Sequence, residues 1–185
     1  VRIAAGLARR GLPVHLATTD PAGRLPRPGG AELPATVAVS RIDPHAETER
    51  YAAEQLRGTS DSQRELAAED LRSPCTTEVA VFRAFSRLLG IGRTQHVVID
   101  TAPTGHTLLL LDVTGAFHRQ VMHDATVNRG RITTPLMRLQ DPTFSRLVLV
   151  ALAETTPVAE AAELQADLRR AGIEPFGLVL NAALA

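Results

Sequence analysis

The chain contains no lysine: every one of the 20 residues counted as Lys plus Arg is arginine. A phosphate-binding loop of the GxxxxGK[ST] kind needs that lysine to reach the phosphates, so none can lie within these 185 residues. Cysteine is almost as scarce. The single thiol, Cys75, excludes an internal disulfide framework and points to a reducing compartment. No apolar run reaches the ~20 residues that span a bilayer; the longest are the size of strands. The opening VRIAAGLARR has neither the long apolar region nor the cleavage pattern of a secretory signal. Basic and acidic residues balance at 20 each, and no basic run reads as a nucleic-acid arm. HExxH, CxxC and paired-histidine spacings are missing, which argues against a self-contained zinc site. Internal repeats, low-complexity segments and a linker able to divide the chain are missing too.

What is present is a 44% hydrophobic chain organised in alternating strands and helices. Residues 1–10 read as the later turns of an alanine-rich helix, with Gly11 as its stop. With no initiator methionine and no helix start, the expectation is a fragment cut inside a helix. Strands are expected at 14–18, 37–42, 96–99, 147–152 and 176–180. Residues 22–35, rich in Gly, Pro and Arg, read as a loop. Residues 45–72 read as two helices with a break near 58–61. Ser73-Pro74 then reads as an N-cap and first turn, and Val79, Phe82, Phe85 and Leu89 follow at helical spacing up to Gly90. A last helix starts at Thr156-Pro157, packs Ala161, Leu164, Leu168 and Ala171 on one face and stops at Gly172. The strands are apolar runs rather than alternating patterns. That predicts an α/β fold with a mostly parallel sheet covered by helices on both faces.

The residues that close these strands are Asp20, Asp43, Asp100, Glu154 and Asn181. In open parallel sheets ligands bind outside the carboxyl ends of the strands. Polar residues also gather there because the chain emerges into water, so the pattern by itself fits a site or a surface. Asp100 could hold Mg²⁺, a hard cation that takes oxygen ligands. Thr101, Thr104 and Thr107 add hydroxyls, and Gly105 permits close backbone approach to a phosphate. The same residues could equally form an N-cap network for the next helix. Asp20, held between Thr18-Thr19 and Pro21, could orient or deprotonate a water attacking a phosphate, or could be a turn aspartate. Cys75 falls in the first turn of its helix, where the dipole lowers a thiol's pKa and favours a soft, thiophilic ion. A lone cysteine is also often just a small buried hydrophobe.

The run Asp100-Thr101-Ala102-Pro103-Thr104-Gly105-His106-Thr107 resembles the signature of the arsenical pump-driving ATPase family, which also includes ATPases that deliver tail-anchored membrane proteins. Thr19-Asp20-Pro21-Ala22, Asp70-Leu71-Arg72-Ser73-Pro74-Cys75-Thr76, Ser40-Arg41-Ile42-Asp43-Pro44-His45 and Glu154-Thr155-Thr156-Pro157-Val158 extend the likeness over nearly the whole chain. It looks most like the second of the two ATPase halves of the bacterial arsenite pump. The resemblance implies a P-loop NTPase fold whose phosphate-loop strand lies outside these residues. Residues 1–185 would then be a single partial ATPase domain, lacking that loop and the domain's C-terminal end.

The resemblance also implies residue roles. Asp20 matches the first switch, whose aspartate positions the attacking water. Asp100 matches the second switch, which supports Mg²⁺ and senses the γ-phosphate, with Thr101 and Gly105 beside it in the nucleotide loop. Asn181 matches the adenine-recognising asparagine, whose amide offers a donor and an acceptor. Cys75, Ser73 and His106 match positions of the family's metalloid site. Two departures stand out: after Asp20-Pro21-Ala22 the sequence runs Gly23-Arg24 where the family commonly continues to a histidine, and one cysteine is present where the family's thiolate site draws on both halves.

Implied with these are ATP, Mg²⁺, and As(III) or Sb(III) as an allosteric ligand. Implied partners are a membrane arsenite efflux channel and either a second ATPase half or a homodimer partner, with no nucleic acid and no direct membrane insertion. The location would be cytoplasmic, at the inner membrane through that partner. The parent would be an arsenite-transporting ATPase, and the fragment alone would be inactive. The alternatives are a targeting chaperone for tail-anchored proteins and a regulator of the partitioning-ATPase type. Residues 116–140 hold only Met122 and Met137 among Arg and Asp, which argues against the chaperone's greasy groove.

Overall fold

Among the described residues the segment 14–18 is the most deeply buried strand, and its neighbours are arranged around it. The computed structural model describes residues 1–20, 23–57, 74–101 and 133–182, with Pro74 and Cys75 described by their backbone alone. They fall into two compact units, Val1–Pro103 and Thr104–Ala185. The break expected at 58–61 and the helix expected after it lie outside the described residues, as does the segment 116–132.

In the first unit, β1 (Val14–Thr18) lies between β2 (Ala38–Arg41) and β3 (His96–Asp100), both parallel to it. Helix α1 (Arg2–Arg9) covers one face, where Ala4 and Ala5 meet Val14 and Leu16 together with Leu33 and Val37. Side chains alternate across a strand, so Ala17 points to the opposite face, and it too is fully buried. Burial on both faces is why apolar residues of β1 fall on both, Val14 and Leu16 on one and Ala17 on the other. The return from β2 to β3 runs through α2 (Pro44–Gln55) and α3 (Pro74–Ile91), which pack on each other. Their exposed seam carries Arg87–Glu47 and Arg83–Glu54 ion pairs, with the Arg83 guanidinium 5.2 Å from the centre of the Tyr51 ring.

Helix α3 buries Phe82, Phe85, Leu88 and Leu89. Two details differ from expectation. Val79 is 37% exposed rather than in the core, and the helix runs through Gly90 to Ile91. Gly11 does stop its helix. It adopts φ +78°, its N–H donates to Ala8 O at 2.9 Å, and Leu12 N–H reaches Leu7 O at 3.3 Å. This double bond pattern satisfies the last carbonyls of the helix and needs a left-handed residue.

The second unit is a β-α-β turn of chain: β4 (Val148–Leu152), α5 (Thr155–Arg170) and β5 (Gly177–Asn181), with the two strands parallel. Gly172, at φ +74°, closes α5 as Gly11 closes α1: Gly172 N–H donates to Arg169 O and Ile173 N–H to Leu168 O. Leu168 and Ile173 are both buried and pack with Leu149. A six-residue helix, α4 (Pro135–Gln140), contributes Leu136 and Leu139 to this core. Sequence periodicity does not reveal it. Strand β4 alternates, burying Leu149 and Ala151 while Val150 is 64% exposed, and all five residues of β5 are exposed. The expected strand starts at 37, 147 and 176 each fall one residue early.

The packing of β1 sets two expected outcomes. Leu16→Ala removes a fully buried side chain between covered faces and should cost about 2–5 kcal/mol, read as a lower urea midpoint. His15, whose Nε2 lies 2.7 Å from Ser40 Oγ, has its pKa lowered from 6.5 by burial. The unfolded chain therefore takes up the proton first as pH falls, so the stability present above 6.5 is lost progressively below it. His15→Gln should make the urea midpoint less sensitive to acid between about pH 7.5 and 5.5 than it is in the parent sequence.

Candidate functional site

The carboxyl ends of the three strands in the first unit are tied to each other by backbone. Arg41, Thr18 and Asp100 occupy one register row, with Thr18 in the middle. Just past that row, Ile42 N–H donates to Thr18 O at 2.9 Å and Thr19 N–H donates to Asp100 O at 2.9 Å. Asp20 and Asp100 thus leave neighbouring strands at the same edge, with one residue, Thr19, joining their backbones. Parallel neighbours run about 4.8 Å apart, so the two exits are adjacent.

Hydrogen bonds hold the described residues on either side of the exit from β1. Thr18, completely buried, turns its hydroxyl oxygen to accept Asp20 N–H at 3.1 Å. Asp20 O then accepts Gly23 N–H at 3.1 Å, and Gly23 O accepts from the Arg41 guanidinium. Gly23 sits flush against this turn. A Cβ there would meet Thr18 Oγ1 at 3.0 Å and Asp20 Cβ at 3.2 Å. Asp20, half-buried, thus has both its N–H and its carbonyl bonded where the chain leaves the sheet.

The third aspartate of this edge has a different task. Asp43 caps α2, its Oδ1 accepting His45 N–H at 2.9 Å and Ala46 N–H at 3.2 Å, with Pro44 in the first turn. Satisfying orphan helix donors is ordinary N-cap chemistry. Thr101 follows Asp100 and, like it, is exposed. In the second unit, Asn181 is the last residue of β5, in register with Leu152, and exposed. Ala182 after it adopts φ +52°, a left-handed conformation that costs a non-glycine residue roughly 1–2 kcal/mol. Glu154 holds the N-cap position of α5 without a side-chain capping bond. Cys75 is the second residue of α3, as expected of a first-turn thiol. Ser73, Gly105 and His106 lie outside the described residues.

Among the described residues no three His, Cys, Asp or Glu side chains converge as a protein cage for a metal. The donors at the edge are two carboxylates and threonine hydroxyls, all oxygen. That set suits Mg²⁺, which is held through one or two carboxylates, keeps several waters and completes its shell with substrate phosphates. Among the described residues, no helix is long and apolar enough to cross a membrane.

Reading the sequence missed three members of this edge. Thr18 and Gly23 bond the backbone of Asp20 and Arg41 bonds Gly23, yet the sequence analysis assigns none of them a role. The Thr-Thr-Asp spelling hinted at a hydroxyl-to-backbone bond two residues on. Nothing local could have revealed Arg41, which meets Gly23 only through strand pairing.

Comparison with known proteins matches residues 2–138 to the family described as anion-transporting ATPase. The chain is 52% identical over 186 residues to the arsenical pump-driving ATPase of Acidiphilium multivorum, covering 98% of this chain and 32% of that protein. An arsenical pump-driving ATPase of Escherichia coli is likewise 52% identical, with the same coverage. A putative arsenical pump-driving ATPase of Halobacterium salinarum is 31% identical over 206 residues, covering 96% of this chain and 32% of that protein. The chain therefore spans about a third of the length of these curated relatives. With a match to that family over most of its length and strands that deliver Asp20 and Asp100 to one edge, the chain belongs to the anion-transporting ATPase family.

Proposed function

We propose that the full-length protein hydrolyses ATP and uses the cycle to drive efflux of arsenite or antimonite through a membrane partner. The observation that carries this reading is the Thr19 N–H to Asp100 O bond, which joins the exits of the two strands whose aspartates the family resemblance casts as switches. Residues 1–185 are taken as one partial ATPase domain. The phosphate loop, which a chain without lysine cannot supply, would come from elsewhere in the longer protein.

In this reading Asp20 orients a water and takes up its proton as the water oxygen bonds to the γ-phosphorus; the bond to the bridging oxygen breaks and ADP leaves. Asp100 would hold the nucleotide's Mg²⁺, with Thr101 and Gly105 toward the phosphates, and the charge neutralisation that eases phosphoryl transfer would come from the ion held there. Asn181 reads the adenine edge with its amide. Cys75, Ser73 and His106 receive As(III) or Sb(III), which acts as a stimulating ligand, and His106 lies six residues after Asp100, close enough in sequence to pass that binding to the switch. The remaining partners are a second ATPase half or a second copy, together with the efflux channel. The protein would work on the cytoplasmic side of the inner membrane.

The test is metalloid-stimulated ATP hydrolysis by the full-length protein. As(III) or Sb(III) should raise turnover above the basal rate. Unchanged turnover with intact basal activity would reject the pump role. Cys75→Ala should weaken stimulation more than basal hydrolysis, whereas an equal loss of both would implicate folding.

A further inference from the structure

We infer that Thr48 is a positioning residue that carries metalloid binding at the start of α3 to the carboxyl edge of the sheet; this rests on the proposed role of Cys75 in receiving As(III) or Sb(III). Thr48 stands one turn inside α2, four residues after Pro44. Its Oγ1 donates to Pro44 O at 2.7 Å and lies 3.3 Å from Thr77 Oγ1. A hydroxyl has one proton to give, so with that of Thr48 on Pro44 O, the Thr77 hydroxyl is the donor to Thr48. Both threonines are half-buried, where bonds in series polarise one another. Thr77 belongs to the first turn of α3, two residues after Cys75. Pro44 comes two residues after Ile42, whose N–H donates to Thr18 O where β1 ends. A continuous route of described residues thus runs from the first turn of α3 through Thr77, Thr48, Pro44 and Ile42 to the exit of β1.

The seam between the two helices keeps this route stiff. Glu47 accepts from Arg87, Glu54 pairs with Arg83 at 3.1 Å, and the Arg83 guanidinium lies over the Tyr51 ring. Each exposed pair adds little to global stability, but spread along α2 they resist sliding of one helix over the other. They engage α3 at Arg83 and Arg87, two turns and more beyond Cys75. Thr48 engages it at the turn that carries Cys75. At the sheet, α2 is fastened by Asp43, whose carboxylate accepts His45 N–H and Ala46 N–H. A shift of the first turn of α3 is therefore passed to the start of α2, beside the edge that Asp20 and Asp100 leave. This route does not include His106.

The experiment uses the full-length protein and compares Thr48→Val, Thr48→Ser, Cys75→Ala and the double variant Thr48→Val/Cys75→Ala, with Sb(III) as the probe. A residue that carries coupling between two sites changes it by roughly 2- to 30-fold, so Thr48→Val should cut Sb(III) stimulation at least about threefold. Basal turnover and the Kd for Sb(III) should both stay within about twofold of the parent. Thr48→Ser, which keeps the hydroxyl, should retain most of the stimulation. On the Cys75→Ala background, removing the hydroxyl should cost nothing more. In the nucleotide-free protein, Sb(III) should slow hydrogen exchange at the His45 and Ala46 amides, and in Thr48→Val it should leave them unchanged. Full stimulation in Thr48→Val beside its loss in Cys75→Ala would overturn this inference alone and leave the signal to His106. So would equal losses of basal and stimulated turnover, which would make Thr48 merely structural. Full stimulation in Cys75→Ala would overturn the reading of Cys75 and this inference with it.

Discussion

The structure of the first unit depends on the two backbone bonds that flank the exit of β1, Ile42 N–H to Thr18 O and Thr19 N–H to Asp100 O. They are the last rungs of two parallel ladders, and they bring together three segments that lie about 20 and 60 residues apart along the chain. Because the rungs are main chain, the shared exit of Asp20 and Asp100 at one end of the sheet does not rely on any side chain there. It relies on β1 being buried on both faces, which its Val14, Leu16 and Ala17 ensure. Core and site are thus one construction: the apolar letters of β1 fix where the polar letters after it must go.

At that edge the same residue type serves two ends. Asp43 gives its carboxylate to backbone donors of α2 and has a purely structural task. At Asp20 the bonds that hold the turn are made by the backbone, N–H to Thr18 Oγ1 and carbonyl to Gly23 N–H. The difference lies in the chain downstream of each aspartate. Pro44 and a helix-forming run come after Asp43 and supply orphan N–H groups to cap. After Asp20 the main chain returns at once to bond Gly23. Both start as an aspartate before a proline, so the dipeptide does not separate them; the later residues do.

Much of this fold is legible in the amino-acid sequence. All five strands lie within a residue of their expected places, because most are short apolar runs that give way to a polar or turn-forming residue. Gly11 and Gly172 mark their helix ends because only a residue at ease in the left-handed region closes a helix that way. Helix α4 escapes such reading: six residues give fewer than two turns, too few for a period, although Thr134-Pro135 spells a cap and first turn. Val79 fits the helical spacing but turns outward, since spacing fixes a stripe and not how wide a neighbour covers it. The family letters single out Asp20 and Asp100. Arg41 stands among those letters with no visible task, because its bond to Gly23 exists only once β2 is in register with β1.

Strand β5 exposes every one of its residues, with Phe176 before it and Leu178, Val179 and Leu180 within it each about half bare or more. Among the described residues it pairs with β4 alone. An exposed apolar strand of this kind invites further strands to pair with it. Neither Pro nor Lys interrupts Gly177–Asn181, so the usual guards against such stacking are missing. In a preparation limited to these residues, colloidal behaviour would be governed by that ribbon, however sound the packing around β1.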